Sequence, residues 1–361
     1  MDRRSFLTKG ALGGGAAAAT ALAAPAYAQG NRTLTMVTSW GRGLAGVHDS
    51  AQYVADKITA MSDGQLTIDL RAAGELVGAF EVFDAVSSGQ ADMYHAADYY
   101  FTGKHPAYQM FTSLPFGMTA LELNCWYYHG GGQALHDELG QIFGLKPFLA
   151  GNTGAQAGGW FRNQINTPED FQGLTMRAPG QSGEVFAKLG ASVQNIPGAE
   201  VYQAFSTGAL DAVDWIGPWA DETAGFQEIT KLYYTAGSGE PGPGITLATN
   251  LDVWESLSPA HKAIIEQASA ASNIWTWTLF VSNNSAALDR LQQAGVQALA
   301  FPDEVYAALA QASQDVYQQY MGDELYKKVF DSYQDSLRKS AAWIGTSEGA
   351  YVAQRDRLLN I

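Results

Sequence analysis

The stretch Glu81-Val-Phe-Asp-Ala-Val-Ser-Ser-Gly-Gln-Ala-Asp92 returns 119 positions later as Glu200-Val-Tyr-Gln-Ala-Phe-Ser-Thr-Gly-Ala-Leu-Asp211. Glu, Val, an aromatic, Ala, Ser, a second hydroxyl residue, Gly and Asp keep their places in both copies. Each copy reads as a helix stopped at a glycine (Gly89, Gly208) and leading into a short strand, since glycine takes up the left-handed C-cap without a Cβ penalty. The separation is that of a domain rather than of a solenoid unit, so two lobes on one plan are expected. Upstream, Leu34-Thr-Met-Val-Thr38 and Leu66-Thr-Ile-Asp-Leu70 read as strands on either side of a helical pattern over 49–61. Such alternation predicts an α/β fold with largely parallel sheets. Beyond Ser258-Pro259, where proline takes a first helical position, the pattern is mostly helical: one long helix over 271–294 and several over 303–359.

The 361 residues are 47% hydrophobic and 16% charged, which is ample for packed cores and excludes global disorder. Acidic residues outnumber basic ones by 36 to 21, for a net charge of -15. That balance argues against a nucleic-acid partner, which needs a basic face, and against an anionic membrane surface. The single cysteine, Cys125, rules out a disulfide framework or a multi-thiolate metal site and reads as a small buried hydrophobe.

Residues 1–28 read as a targeting peptide. Arg3 and Arg4 open it, a weakly apolar Ala/Gly/Leu run follows to Ala24, and Ala26-Tyr27-Ala28 supplies a small-x-small cleavage pattern. The paired arginines resemble a twin-arginine export signal, which places the mature chain in the periplasm. Its removal makes the net charge two units more negative.

A search for catalytic machinery returns little. None of the six histidines pairs at metalloprotease spacing, and neither a Gly-x-Ser-x-Gly elbow nor a Walker loop is present. The Gly130-Gly131-Gly132 run lacks the strand context of a dinucleotide fingerprint. The expectation is a protein that is not an enzyme.

Five segments, in order, resemble the solute-binding proteins of tripartite ATP-independent periplasmic (TRAP) transporters. They are Gly74-Glu75-Leu76-Val77-Gly78 with the first repeat, Leu114-Pro115-Phe116-Gly117, Leu174-Thr175-Met176-Arg177-Ala178-Pro179-Gly180, the second repeat through Asp214-Trp215, and Val253-Trp254-Glu255-Ser256-Leu257-Ser258. The resemblance implies a two-lobed periplasmic binding protein fold with crossing strands. Lobe I would comprise 29–153 plus 241–280, and lobe II 154–240 plus 281–361 with the helical C-terminal region. It also implies a small carboxylate ligand and delivery to a TRAP membrane permease. The helical end offers a surface for a homodimer.

By the same resemblance, Arg177 is the ligand clamp. A planar, permanently charged fork suits a carboxylate. Where many family members carry Gly-Gln-Glu-Asn-Pro, this chain has Ala212-Val213-Asp214-Trp215-Ile216. That variant resembles the subgroup binding 2-oxo or 2-hydroxy monocarboxylates, such as pyruvate or lactate, through a metal ion. Its metal ligands would be Gln156, which also touches the ligand, Asp214 and the Trp215 carbonyl. These are hard oxygen donors suited to Ca2+ or Na+. Glu240, in the Gly237–Gly244 run, would join them, and a second carboxylate favours Ca2+. Tyr99, rather than Tyr100, is expected to donate to the ligand from the loop after the first repeat's strand. Trp40 would line the cleft or pack. The alternatives are a metal-independent C4-dicarboxylate binder and a periplasmic enzyme using Asp214 and Glu240 as acid and base.

Overall fold

The computed structural model describes residues 31–360, so the targeting peptide expected over 1–28 lies outside the described residues. In chain order the strands are β1 (Arg32–Thr38), β2 (Leu66–Arg71), β3 (Met93–Ala96), β4 (Leu145–Asn152), β5 (Gly159–Phe161), β6 (Thr175–Arg177), β7 (Ser192–Gln194), β8 (Ala212–Val213), β9 (Leu232–Tyr234), β10 (Gly244–Asn250) and β11 (Gln297–Leu299). They form two sheets, β2-β1-β3-β10-β4 and β11-β9-β5-β8-β6-β7. Within each sheet one group of three is parallel, β2-β1-β3 in the first and β8-β6-β7 in the second. The edge pair β11-β9 is parallel as well, but the sheets are mixed, because β10 pairs antiparallel with both β3 and β4, and β5 with both β8 and β9. Each of these strands enters its sheet by crossing from the other one.

The repeat explains why the lobes match. Both copies form a helix, Val82–Ser87 and Gly198–Ser206, released by a left-handed glycine at φ 79° (Gly89) or 80° (Gly208). The shared aspartate ends both units in the same way. Asp92 Oδ2 accepts the Thr35 N–H at 2.7 Å while the Asp92 N–H donates to the Thr35 carbonyl at 3.0 Å. Asp211 repeats the pair on Thr175 at 2.9 and 2.7 Å. In each lobe the repeat thus fixes the register between its own strand, β3 or β8, and the neighbouring parallel strand.

Two segments cross between the sheets side by side, 153–158 leaving β4 and 235–243 leading to β10. The Gln156 N–H donates to the Glu240 carbonyl at 3.0 Å, and the Gly237 N–H to the Gln156 carbonyl at 3.2 Å. A Cβ on Gly237 would come within 2.6 Å of the Ala157 backbone, so this approach requires glycine. The long helix is one continuous piece, Pro259–Gln293, longer than its sequence pattern predicts and capped by the Ser258 hydroxyl on the His261 N–H. The helix Asp303–Tyr320 packs on the helix Gly180–Lys188 beside the second sheet. The following helix, Glu324–Ile344, returns to the first: Tyr326, Val329 and Tyr333 are buried in one cluster with Leu114, Met118 and Trp126. That part of the segment assigned to lobe II therefore lies on lobe I, because its buried tyrosines find their packing partners there. No helix among the described residues is long and apolar enough to cross a membrane.

The Asp211 carboxylate carries a charge-assisted bond at a strand start. Its replacement by alanine is expected to destabilise the protein by about 1–3 kcal/mol, read as a lower urea midpoint at unchanged slope.

Candidate functional site

The site lies where the ends of β3, β6 and β8 meet the two crossing segments. A small enclosed cavity of about 40 Å³ opens there, bounded by Tyr99 and Tyr100 after β3, Arg177 at the end of β6, Trp215 after β8, and Thr153 and Gln156 on the crossing segment. Space of that size, at ~10–15 Å³ of probe-occupied volume per water, holds about three waters.

Arg177 is 4% exposed, yet its guanidinium uses little of its donor capacity on protein. One Nη donates to the Asp214 carbonyl at 2.7 Å, and Nε has no partner. The guanidinium carbon stands 5.2 Å over the Trp215 ring, which supports it through its π-face. The Asp214 N–H closes the arrangement by donating to the Arg177 carbonyl at 2.8 Å. The buried fork therefore keeps N–H groups unspent on protein, and a planar fork of this kind matches a carboxylate in shape and charge.

Two carboxylates are buried with it. Asp214 and Glu240 are each 4% exposed. Burial pushes the Asp214 carboxyl up to about 7; Arg177 opposes the shift, Asp221 adds to it, and the Ser182 hydroxyl at 3.4 Å eases it. Glu240 is pushed well above the usual carboxylate range by burial and by the Asp214 charge, against the pull of Arg177. Its Oε2 has no partner, nor has Oε1 of Gln156, whose amide nitrogen is spent on the Thr153 hydroxyl at 3.0 Å. Buried acceptors left bare are costly, and a hard cation would satisfy both. Among the described residues no three His, Cys, Asp or Glu side chains gather as metal ligands. The donors here are two carboxylates with amide and carbonyl oxygens, a set that fits Na+ or Ca2+ and not zinc.

The structure thus brings Arg177, Gln156, Asp214, Trp215, Glu240 and Tyr99 into one buried neighbourhood. Tyr100 belongs there too. Its ring lines the same cavity edge-on to Tyr99, with centroids 4.7 Å apart, and burial raises both phenols, so each is a neutral donor. The choice of Tyr99 over Tyr100 made from strand position alone therefore finds no basis in this geometry.

Sequence reasoning passed over three supporting residues. Thr153 aims the Gln156 amide, and Ser182 touches Asp214. Asp221, fully buried, accepts the Ile216 and Gly217 N–H groups at 3.2 and 2.7 Å and the Trp160 indole at 2.9 Å. It ties down the turn carrying Trp215. Only Asp221 left a signal: an acid in the first turn of a helix opened by Gly217-Pro218.

Two α/β lobes meeting at a buried cleft, with a buried guanidinium at its wall, are the arrangement of a solute-binding protein. The chain belongs to the bacterial extracellular solute-binding proteins of family 7, whose model matches residues 42–324. It is similar to a monocarboxylate 2-oxoacid-binding periplasmic protein of Nostoc, 36% identical over 317 residues, which cover 88% of this chain and 87% of that one. Among solved structures it resembles a TRAP periplasmic solute-binding protein of Pseudoalteromonas atlantica holding sodium and pyruvate. That likeness is 36% identical with a TM-score of 0.87, over 90% of this chain and 99% of the other. A TRAP solute-binding protein of Bordetella bronchiseptica, a mixed-occupancy dimer with copurified calcium and picolinate, is 31% identical with a TM-score of 0.90, over 92% and 99%.

The raised Asp214 carboxyl has a thermodynamic consequence. Because it holds its proton more firmly folded than unfolded, its contribution to metal-free stability is fully present below 3.8 and is lost as pH rises to about 7. Asp214→Asn should melt near wild type at low pH and higher than metal-free wild type by about 2 °C or more at pH 8; equal melting at both pH values would contradict this account.

Proposed function

We propose that the protein captures a small 2-oxo or 2-hydroxy monocarboxylate, pyruvate- or lactate-like, between an arginine clamp and a hard metal ion, for delivery to a TRAP permease. The observation that carries this reading is a buried guanidinium with free donors beside two buried carboxylates and a bare amide oxygen. The sodium–pyruvate and calcium–picolinate relatives support it. Gln156 Oε1, the Asp214 and Glu240 carboxylates and the Trp215 carbonyl would hold the ion. When bound, the ion supplies positive charge that offsets the carboxylates and can be chelated by the ligand's carboxylate and 2-oxygen together. Arg177 binds the carboxylate, Trp215 backs Arg177, and Tyr99 with Tyr100 donates hydrogen bonds. Gln156 and Glu240 ride on the crossing segments (the boundary between lobe I, 29–153 plus 241–280, and lobe II), so ligand capture and lobe closure act on the same backbone. Export would follow the twin-arginine-type signal over 1–28.

Calorimetric titration of refolded, ligand-free protein tests this. Pyruvate or lactate should bind with Ca2+ or Na+ and fail to bind after exhaustive chelation in sodium-free buffer. Metal-independent succinate binding would instead mark a C4-dicarboxylate carrier. Arg177→Ala should weaken pyruvate binding by about 2–5 kcal/mol, at least tenfold, because it leaves the ligand's charge unpaired; binding at wild-type strength would remove the clamp.

The same reading includes a homodimer. The helix Ala350–Leu359 buries none of its residues, and Trp343, Tyr351, Leu358 and Leu359 are all exposed. Exposed apolar residues along this helical end call for a partner, and the dimeric relative favours a second copy. Truncation after Ile344 should convert the dimer to monomer in sedimentation velocity, with ligand affinity retained.

A further inference from the structure

The cavity has a second half that the charge chemistry leaves unused. Trp40, Leu44, Val47, Ile216 and Ile245 line it with apolar surface. Three of these come from a single segment, 40–47, at the end of β1, and Trp40 is the largest.

Trp40 is fixed by a device outside the ligand shell. Its indole Nε1 donates to Nδ1 of His95 at 2.8 Å, and both side chains are buried. Burial pushes His95 down to about 3, so the ring is neutral. With Nδ1 accepting from the indole, the ring proton sits on Nε2, towards the Ala150 carbonyl and the Ser50 hydroxyl at 3.4 Å. Ser50 is held in turn by the Thr276 hydroxyl at 2.8 Å, from the long helix Pro259–Gln293. Four residues further along that helix, the Phe280 ring fills the space beside Gly46, where φ is 78° and a Cβ would collide with the ring. The segment 40–47 is therefore pinned from behind at two points, and the Tyr100 ring lies against Trp40 with centroids 6.2 Å apart.

A hydrogen bond between two buried groups with no water to replace it is directional, and losing one partner leaves the other bare. A wall held in this way does not retreat for a longer ligand. We infer that Trp40 is the chain-length-determining wall of the pocket and that His95 is its positioning residue, restricting the bound acid to a tail of very few carbons. The inference rests on the 2-oxo acid reading above and adds to it the residue that sets selectivity within that class.

The test compares dissociation constants for pyruvate, 2-oxobutyrate and 2-oxovalerate, with Ca2+ present, in wild type and in Trp40→Ala, Trp40→Phe, His95→Leu and His95→Asn. Wild type should prefer pyruvate to 2-oxovalerate by about tenfold or more, the scale on which a pocket discriminates methylenes. Trp40→Ala and His95→Leu should each reduce that preference by about tenfold, while His95→Asn, whose Oδ1 can accept the indole N–H in place of Nδ1, keeps it. Trp40→Phe removes the indole donor without touching His95 and should relax the preference likewise, so the test stands even if His95→Leu does not fold. In wild type the Trp40 indole 15N–H resonance, assigned by its loss in Trp40→Phe, should resist hydrogen exchange and lose that protection in His95→Leu. An unchanged preference in Trp40→Ala, or equal weakening towards all three acids in His95→Leu, overturns the inference. Wild type that binds none of the three acids overturns the 2-oxo acid reading itself.

Discussion

The site depends on a charge balance that the protein leaves unfinished. One guanidinium and two carboxylates are buried together, and taking three charges out of water costs several kcal/mol per ion unless each is matched. Arg177 spends one N–H on a backbone carbonyl and cannot neutralise both acids. The remaining imbalance shows as raised carboxyl values at Asp214 and Glu240 and as bare oxygens on Glu240 and Gln156. In a chain of net charge -15 it is the local arrangement of fixed charges, and not the total, that sets the potential around Arg177.

The backbone makes this imbalance tolerable by holding the charges on elements that cannot drift apart. Arg177 and Asp214 end neighbouring parallel strands and exchange hydrogen bonds in both directions, side chain to carbonyl and N–H to carbonyl. Glu240 and Gln156 sit on crossing segments bonded to each other. Lobe contact adds to this, with the Gln181 N–H reaching the Gln109 side chain at 2.9 Å. The electrostatic cost of the site is thus offset by the packing of two sheets, each with its own buried cluster.

Much of this was legible in the sequence, and the reasons are local. The repeat ending in Asp92 and Asp211 announced two matched lobes because a helix stopped at a glycine and leading into a strand is a local pattern. That Arg177, Asp214 and Gln156 come together was legible through motif context. The antiparallel insertion of β5 and β10 was not, since periodicity does not encode which sheet a strand joins. Nor was the return of the helix Glu324–Ile344 to the first lobe, which depends on Tyr326 and Tyr333 meeting Met118 and Trp126 some 200 residues earlier. Ser182, Thr153 and His95 carry no sequence signal, because each acts by touching one particular neighbour in space.

The placement of β10 bears on how the chain reaches its native state. This strand lies between β3 and β4 inside the first sheet, yet it is made only after the whole of β5 to β9. An emerging chain therefore holds β3 and β4 apart with two bare edges, and the sheet is zipped together only when residues 244–250 arrive. Long-range pairings of this kind raise contact order and slow folding. The first sheet to be begun is therefore closed only late, and the crossing segment that leads into its missing strand also brings in Glu240.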